Sequence, residues 1–266
     1  MIASHSAFEL SSRQQEMLER LEIQGRVSVA ELATALKVSE VTVRKDLQEL
    51  ESFSLLKRVH GGAALAHRSK FNLSIGDKIG KESASKLAIA KRALACIHDG
   101  DTLILDAGST TLALARLLPG RFQGLTIITN SLPIIAELSR FDRFELISLG
   151  GMVRLHSLAM IGPLTVASLK RLHADRAFLG ATGVTLERGL CTPNIIEAET
   201  KAAMIAAATE RIALVDHTKV GQASLAPFVG WDQLHRFITD LPLQIELAEE
   251  LKALGVTVQV TSAEEG

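Results

Sequence analysis

Three short amphipathic segments open the chain, and their apolar positions fall on helical spacing. Met17, Leu18 and Leu21 share one face, and Gly25 is placed to end that element. Ser12 and Gln15, just ahead, have the spacing of a capping box, in which each side chain satisfies a free amide of the first turn. Ser28 and Glu31 repeat the box before Val29, Leu32, Ala33 and Leu36, a two-turn helix. Lys37-Val38 makes a turn, and Ser39 suits the N-cap of a third helix. There Val43, Leu47 and Leu50 recur at i, i+4 and i+7. A strand-like run over 55–59, the turn His60-Gly61-Gly62 and a return strand form a hairpin. The pattern predicts a three-helix unit with a β-wing over residues 8–65.

Between residues 66 and 82 the periodicity fades, which predicts a connector able to let the first unit swing. From 83 to 262 helical and strand patterns alternate. A helix over 83–97 precedes the turn Asp99-Gly100-Asp101. Short apolar runs follow at 102–105, 125–128, 144–147, 177–179, 212–215, 237–238 and 256–260, with helical segments between most of them. Such alternation predicts an α/β domain with a mainly parallel sheet covered on both faces.

Composition narrows the class. The 266 residues accommodate one small and one ordinary domain, and 47% hydrophobic residues can fill both cores. A formal charge of -1 argues against a protein that coats nucleic acid indiscriminately, yet permits one basic face. Cys96 and Cys191 lie far apart and outside any CxxC spacing, so no disulfide framework or zinc site is expected, and a reducing cytoplasm is the expected compartment; no other metal and no cofactor are expected. No apolar run approaches the roughly 18 residues of a membrane span, and the polar start lacks a signal-peptide core.

The outward side of the third helix carries Val41, Lys45 and Gln48, flanked by Thr42 and Arg44, with Ser39 at its start. Arg and Lys suit guanine acceptors, Gln suits adenine, and Val or Thr methyls suit thymine. Lys57, Arg58 and His60 would ride on the wing beside the sugar-phosphate backbone. A generic bundle with solvated charges is the alternative. Two capping boxes, the turn spacing and a basic hairpin together favour DNA. No aromatics interleave with the basic residues, so duplex DNA is favoured over single strands or RNA.

The strand ends carry a second chemistry. Leu105 runs into Asp106-Ala107-Gly108-Ser109-Thr110-Thr111, Ile128 into Thr129-Asn130, and Ile147 towards Gly150-Gly151 and Arg154. Leu179 leads to Gly180-Ala181-Thr182-Gly183, and Val215 to Asp216-His217-Thr218-Lys219. In an open parallel sheet these carboxyl ends line one crevice. Gly108, the three hydroxyls after it and a helix N-terminus suit an oxyanion, and Lys219 adds a charge. Asp106, Asn130, Asp216 and Glu197 suit hydroxyl groups. Phosphate plus hydroxyls describes a phosphorylated sugar. Each signal also has a structural reading: helix capping for Gly-Ser-Thr, a tight turn for Gly150-Gly151, an ion pair for Asp216 and Lys219. For Glu197 with Lys201 it is a solvated i,i+4 pair.

The run 38–47, Val-Ser-Glu-Val-Thr-Val-Arg-Lys-Asp-Leu, with Arg58-Val59-His60-Gly61-Gly62-Ala63, resembles the helix-turn-helix signature of DeoR-type bacterial transcriptional regulators. The likeness continues to about residue 240. It implies a winged helix-turn-helix followed by a sensor domain similar in fold to sugar-phosphate isomerases, responding to a phosphorylated sugar. The family's phosphate loop matches Asp106 to Thr111, its Thr-Asn pair Thr129-Asn130, and its Gly-Gly-x-x-Arg Gly150 to Arg154. Its Asp-x-Ser-Lys-Phe-Gly stands here as Asp216-His217-Thr218-Lys219-Val220-Gly221, with Ser and Phe replaced.

Three functions fit. One is a repressor of a carbohydrate-utilisation operon, bound to operator DNA as a symmetric dimer or tetramer and released by the sugar phosphate. A second is a sugar-phosphate isomerase with an accessory DNA-binding domain, although Gly180-Ala181-Thr182-Gly183 stands where related isomerases have acidic residues. The third is an adaptor with a vestigial pocket. The first is expected, with no catalytic residue.

Overall fold

A computed structural model describes residues 11–24, 26–52, 56–59, 61–64 and 74–261. The chain divides into two compact units, 1–72 and 73–266.

The first unit contains α1 (Ser12–Gln24), β1 (Arg26–Ser28), α2 (Val29–Leu36), α3 (Glu40–Ser52), β2 (Lys57–Val59) and β3 (Gly62–Ala64). Its core joins Met17, Leu18 and Leu21 to Leu32, Val43, Leu47 and Leu50, as the helical spacing requires. The box before α2 forms as expected: Glu31 N–H donates to Ser28 Oγ, and Ser28 N–H to Glu31 Oε2. The box before α1 sits one residue earlier than expected. Ser11 and Gln14 make the reciprocal bonds at 3.0 and 3.2 Å, because Ser11-x-x-Gln14 has the same spacing and lets Gln14 turn inward to donate to Glu49. Lys37 takes the left-handed turn at φ 55°. The wing is a three-stranded antiparallel sheet in the order β1-β3-β2. A Cβ on Gly62 would lie 2.0 Å from the Val27 carbonyl oxygen, so glycine lets β3 close against β1.

The second unit begins with α4 (Ile75–Gly80) and α5 (Ser83–Ala93), followed by β4 (Thr102–Leu105), α6 (Ser109–Leu117), β5 (Thr126–Thr129), α7 (Leu132–Leu138) and β6 (Glu145–Ser148). Next come a hairpin of β7 (Met152–Arg154) and β8 (Ala159–Ile161), then α8 (Pro163–Leu169) and β9 (Ala174–Leu179). The remainder is β10 (Gly183–Thr185), β11 (Gly189–Thr192), α9 (Ile195–Ala206), β12 (Ala208–Leu214), β13 (Ala226–Val229), β14 (Arg236–Thr239), α10 (Ile245–Ala253) and β15 (Thr257–Val260). Helix α4 corrects the expected aperiodic connector. Its two glycines and short length hide the helix in sequence, but Ser74 Oγ caps it by accepting from Asp77 N–H.

Seven strands form one parallel sheet in the order β15-β14-β12-β9-β4-β5-β6. Adjacent residues point to opposite faces. Leu103 and Leu105 pack with α5, α6 and α7, whereas Ile104 packs with α9, α10 and the small β10-β11-β13 sheet. The chain runs outward from β4 through β5 to β6, then returns to β9 on the other side of β4. The carboxyl ends of β4 and β9 therefore flank a topological switch point, where an open α/β sheet presents a crevice. No helix among the described residues is long and apolar enough to cross a membrane.

Candidate functional site

In the first unit, α3 turns Val43, Leu47 and Leu50 inward and leaves Val41 72% exposed. Arg44, Lys45 and Gln48 are exposed beside it, and Thr42 is half-buried. Ser39 Oγ accepts from Thr42 N–H at 3.2 Å and pairs with Thr42 Oγ1 at 2.9 Å, so these hydroxyls start the helix. Glu40 holds Arg44 through Nη2–Oε2 at 2.5 Å. Behind this surface Asp46 is buried and takes both Arg13 Nε and Nη2, fastening α1 to α3. Lys57 and Arg58 are exposed on β2, where Arg58 N–H donates to Glu51. His60 lies outside the described residues.

In the second unit hydrogen bonds join the loops that follow β4, β5 and β9. Asp106, leaving β4, is 1% exposed and pairs with the Lys201 ammonium of α9. It also accepts the Gly180 amide at 3.1 Å from the end of β9, so one carboxylate bridges both strands of the switch. Burial pushes this carboxyl above its ordinary range, and the Lys201 ammonium opposes that shift. Lys201 also donates to the Gly180 carbonyl and lies 5.2 Å from the Phe228 ring centre.

Several residues expected to meet a ligand make bonds that hold the loops. Asn130 Oδ1 accepts from Ala107 N–H at 2.9 Å while its Nδ2 donates to the Met160 carbonyl, joining the β4 loop to β8. The Thr129 hydroxyl donates to the Leu105 carbonyl, and the Thr111 hydroxyl to that of Asp106. Gly108 is extended at φ -157°, so any residue could adopt its backbone; an added Cβ would press Thr111 Oγ1 at 3.1 Å. No side chain caps α6, which leaves amides of its first turn beside half-buried Ser109 and buried Thr110. Gly150 (φ +67°) and Gly151 (φ +115°) turn the chain out of β6. At Gly151 a Cβ would lie 2.2 Å from Thr165 Oγ1.

The remaining charges surround this frame. Arg154 Nη1 stands 3.8 Å from Glu197 Oε2. The Asp216 carboxylate caps the turn after β12 by accepting from the Thr218 amide and hydroxyl, with Lys219 Nζ 4.0 Å away. Lys78, on α4, is pushed below the ordinary lysine range first by burial, against Glu197, and further by Lys201, Arg154 and Lys219. Beside it Lys86, 5% exposed, donates to the carbonyls of Lys78 and Lys81. The backbone of α4 is also tied to the β7–β8 turn, where Ile75 N–H donates to the His156 carbonyl at 2.9 Å. Among the described residues no group of three His, Cys, Asp or Glu is arranged to hold a metal.

Residues 13–69 match the DeoR-like helix-turn-helix domain, and residues 81–241 match the DeoR C terminal sensor domain. The chain belongs to the DeoR family. It is 36% identical over 93% of its length to the HTH-type transcriptional regulator GolR of Listeria innocua, covering 97% of that protein. It is 34% identical to the HTH-type transcriptional regulator GlpR of Haloferax volcanii, with 93% and 96% covered. A putative aga operon transcriptional repressor of Escherichia coli O157:H7 is 32% identical, with 93% of each covered. Among solved structures it is similar to ribose 5-phosphate isomerase A from Methanocaldococcus jannaschii, at 21% identity and a TM-score of 0.39, covering 53% of this chain and 55% of that one.

This DeoR-type transcriptional regulator thus has a DNA-binding head, and its sensor holds three lysines that sequence reasoning missed. Lys201 was expected to pair with Glu197 on a solvated helix face. Instead it is 4% exposed and turned to Asp106, while Glu197 faces Arg154. The partner lies 95 residues away, so no local spacing signals it. Lys78 fell in the expected connector and Lys86 in the helix expected over 83–97.

Proposed function

We propose that this DeoR-type regulator represses a carbohydrate-utilisation operon and leaves its operator when a phosphorylated sugar binds at the carboxyl ends of the parallel strands. The observation that carries the reading is a surplus of cations there. Lys78, Arg154, Lys201 and Lys219 crowd one neighbourhood, answered by Asp106, Glu197 and Asp216. A dianionic ester would relieve that repulsion, with Ser109, Thr110 and the uncapped first turn of α6 donating to its oxygens. Asp106, Gly108, Thr111, Thr129, Asn130, Gly150 and Gly151 then shape and brace the site. The head would read duplex DNA through Val41, Arg44, Lys45 and Gln48, with Ser39 and Thr42 opening the helix and Lys57, Arg58 and His60 meeting the backbone.

The same reading makes the protein a cytoplasmic homo-oligomer without catalytic activity. A general base needs a free lone pair beside substrate; Asp106 is clamped by Lys201 and the Gly180 amide, which supports a binding role over an isomerase. Helix α4 follows the connector to the head directly in sequence and carries Lys78. Ligand capture there offers a path along the chain, limited by the ligand's differential affinity for the two states. The test is the double substitution Ser109→Ala with Thr110→Ala. Operator binding should be unchanged in a mobility-shift titration, while release by a cognate sugar phosphate is lost. Normal release by the double variant refutes the phosphate assignment.

A further inference from the structure

Glu197 sits in the first turn of α9 and is 7% exposed. Asn194 Oδ1 accepts its backbone amide at 2.9 Å, which fixes the start of the helix. The Glu197 side chain stands one turn before Lys201 on the same helix. Its Oε2, however, is buried and has no hydrogen-bond donor among the described residues; the Arg154 guanidinium at 3.8 Å is too far to supply one. Burying a charged acceptor without a donor is costly, so such an oxygen points to a partner that arrives from outside. Lys201, one turn along α9, pairs with Asp106, and Arg154 stands at 3.8 Å, which puts this oxygen in the neighbourhood proposed for the phosphate.

We infer that Glu197 selects the carbon skeleton of the effector: Oε2 accepts a hydrogen bond from a neutral hydroxyl, in preference to an ammonium. This rests on the effector reading above and specifies its sugar half. The geometry asks for a donor. The kind of donor follows from Arg154, whose guanidinium already faces this oxygen at 3.8 Å: a ligand ammonium would be set beside that charge, a neutral hydroxyl would not. A hydroxyl donates without bringing charge. The ligand class is therefore a phosphorylated polyol or sugar with a free hydroxyl at the position facing Glu197, and amino-sugar phosphates with nitrogen at that position are disfavoured.

The experiment titrates the full chain with inorganic phosphate, ribose 5-phosphate, fructose 6-phosphate, glucose 6-phosphate, 2-deoxyglucose 6-phosphate and glucosamine 6-phosphate, reading affinity by calorimetry. Wild-type protein should bind at least one hydroxyl-bearing ester better than inorganic phosphate. In Glu197→Gln that advantage should fall about tenfold or more, the worth of a hydrogen bond to a charged group, while inorganic phosphate binds equally or more tightly. Equal losses for ester and inorganic phosphate would make Glu197 a general support of the site and overturn the inference, as would an unchanged ester affinity. Glucosamine 6-phosphate outbinding glucose 6-phosphate in the wild type overturns it without any variant, so a misfolded substitution does not shield it. If no ester exceeds inorganic phosphate even in the wild type, the effector reading itself fails and takes this inference with it; the Gln variant separates the two failures.

Discussion

In the head, Lys45, Lys57 and Arg58 stand exposed on α3 and β2, whereas in the sensor Lys86 and Lys201 are almost closed to solvent and donate to protein oxygens. The chemical group is the same and its setting is opposite. Surface cations meet a long polyanion by displacing its counterions, so their effect is spread over many contacts and weakens steeply with salt. Cations beneath strand ends are screened much less and act over a few ångströms. Exposed and enclosed cations thus coexist in one protein, separated by solvent access and not by residue type.

The sharpest way to break that contrast is to remove a buried cation. Lys201→Ala should destabilise the sensor by about 3–5 kcal/mol, because Asp106 is left charged and enclosed; urea unfolding measures it, and adding Asp106→Asn should recover part of the loss. A cost below about 1 kcal/mol would show the pair behaving like a surface bridge. Removing an exposed cation should act on DNA and not on folding. Arg44→Ala or Lys45→Ala should each weaken operator binding by about 1–3 kcal/mol, with the melting temperature and ligand response of the sensor retained.

Smaller effects refine the picture. Ser28→Ala should cost about 1 kcal/mol through the lost cap of α2, seen as a lower melting point of the head alone. The smallest concerns the rim of the sensor, where His217 Nδ1 meets Asp240 Oδ2 at 2.6 Å. The Asp240 hydrogen bond raises His217 above its ordinary 6.5; burial pushes Asp240 up, but the bonds from the His217 ring and backbone bring it below its ordinary 3.8. The imidazole contribution is complete below pH 6.5 and is lost as pH rises through the raised value; the carboxylate contribution is complete above 3.8 and is lost as pH falls through the depressed value. Asp240→Asn should therefore lower stability most between those limits, by under about 1 kcal/mol for so exposed an imidazole. A difference that grows above pH 8 would contradict the assignment.

Both units left traces in the sequence, unequally. The head was legible because its signals are local: Val43, Leu47 and Leu50 mark a face within eight residues, and Ser28 and Glu31 mark a start. The capping box of α1 slipped by one because Ser11-Gln14 and Ser12-Gln15 are both correctly spaced. In the sensor, apolar runs marked the seven strands of the parallel sheet and the loops after them, but not β7, β8, β10, β11 and β13, which are short and lie outside that sheet. Which way each polar group turns was not foreseeable. Thr111, Thr129 and Asn130 look like hydroxyl and phosphate ligands by type, yet their bonds run to backbone within and between the loops. The Asp106–Lys201 pair depends on the packing of α9 over the sheet, which no window of sequence contains.

That pair also orders events during synthesis. Every residue of α1, α2, α3 and the wing precedes position 65, while Lys201 is made much later. A nascent chain therefore possesses the exposed cations Lys45, Lys57 and Arg58 while the ends of β4 and β9 still lack the ammonium that pairs with Asp106.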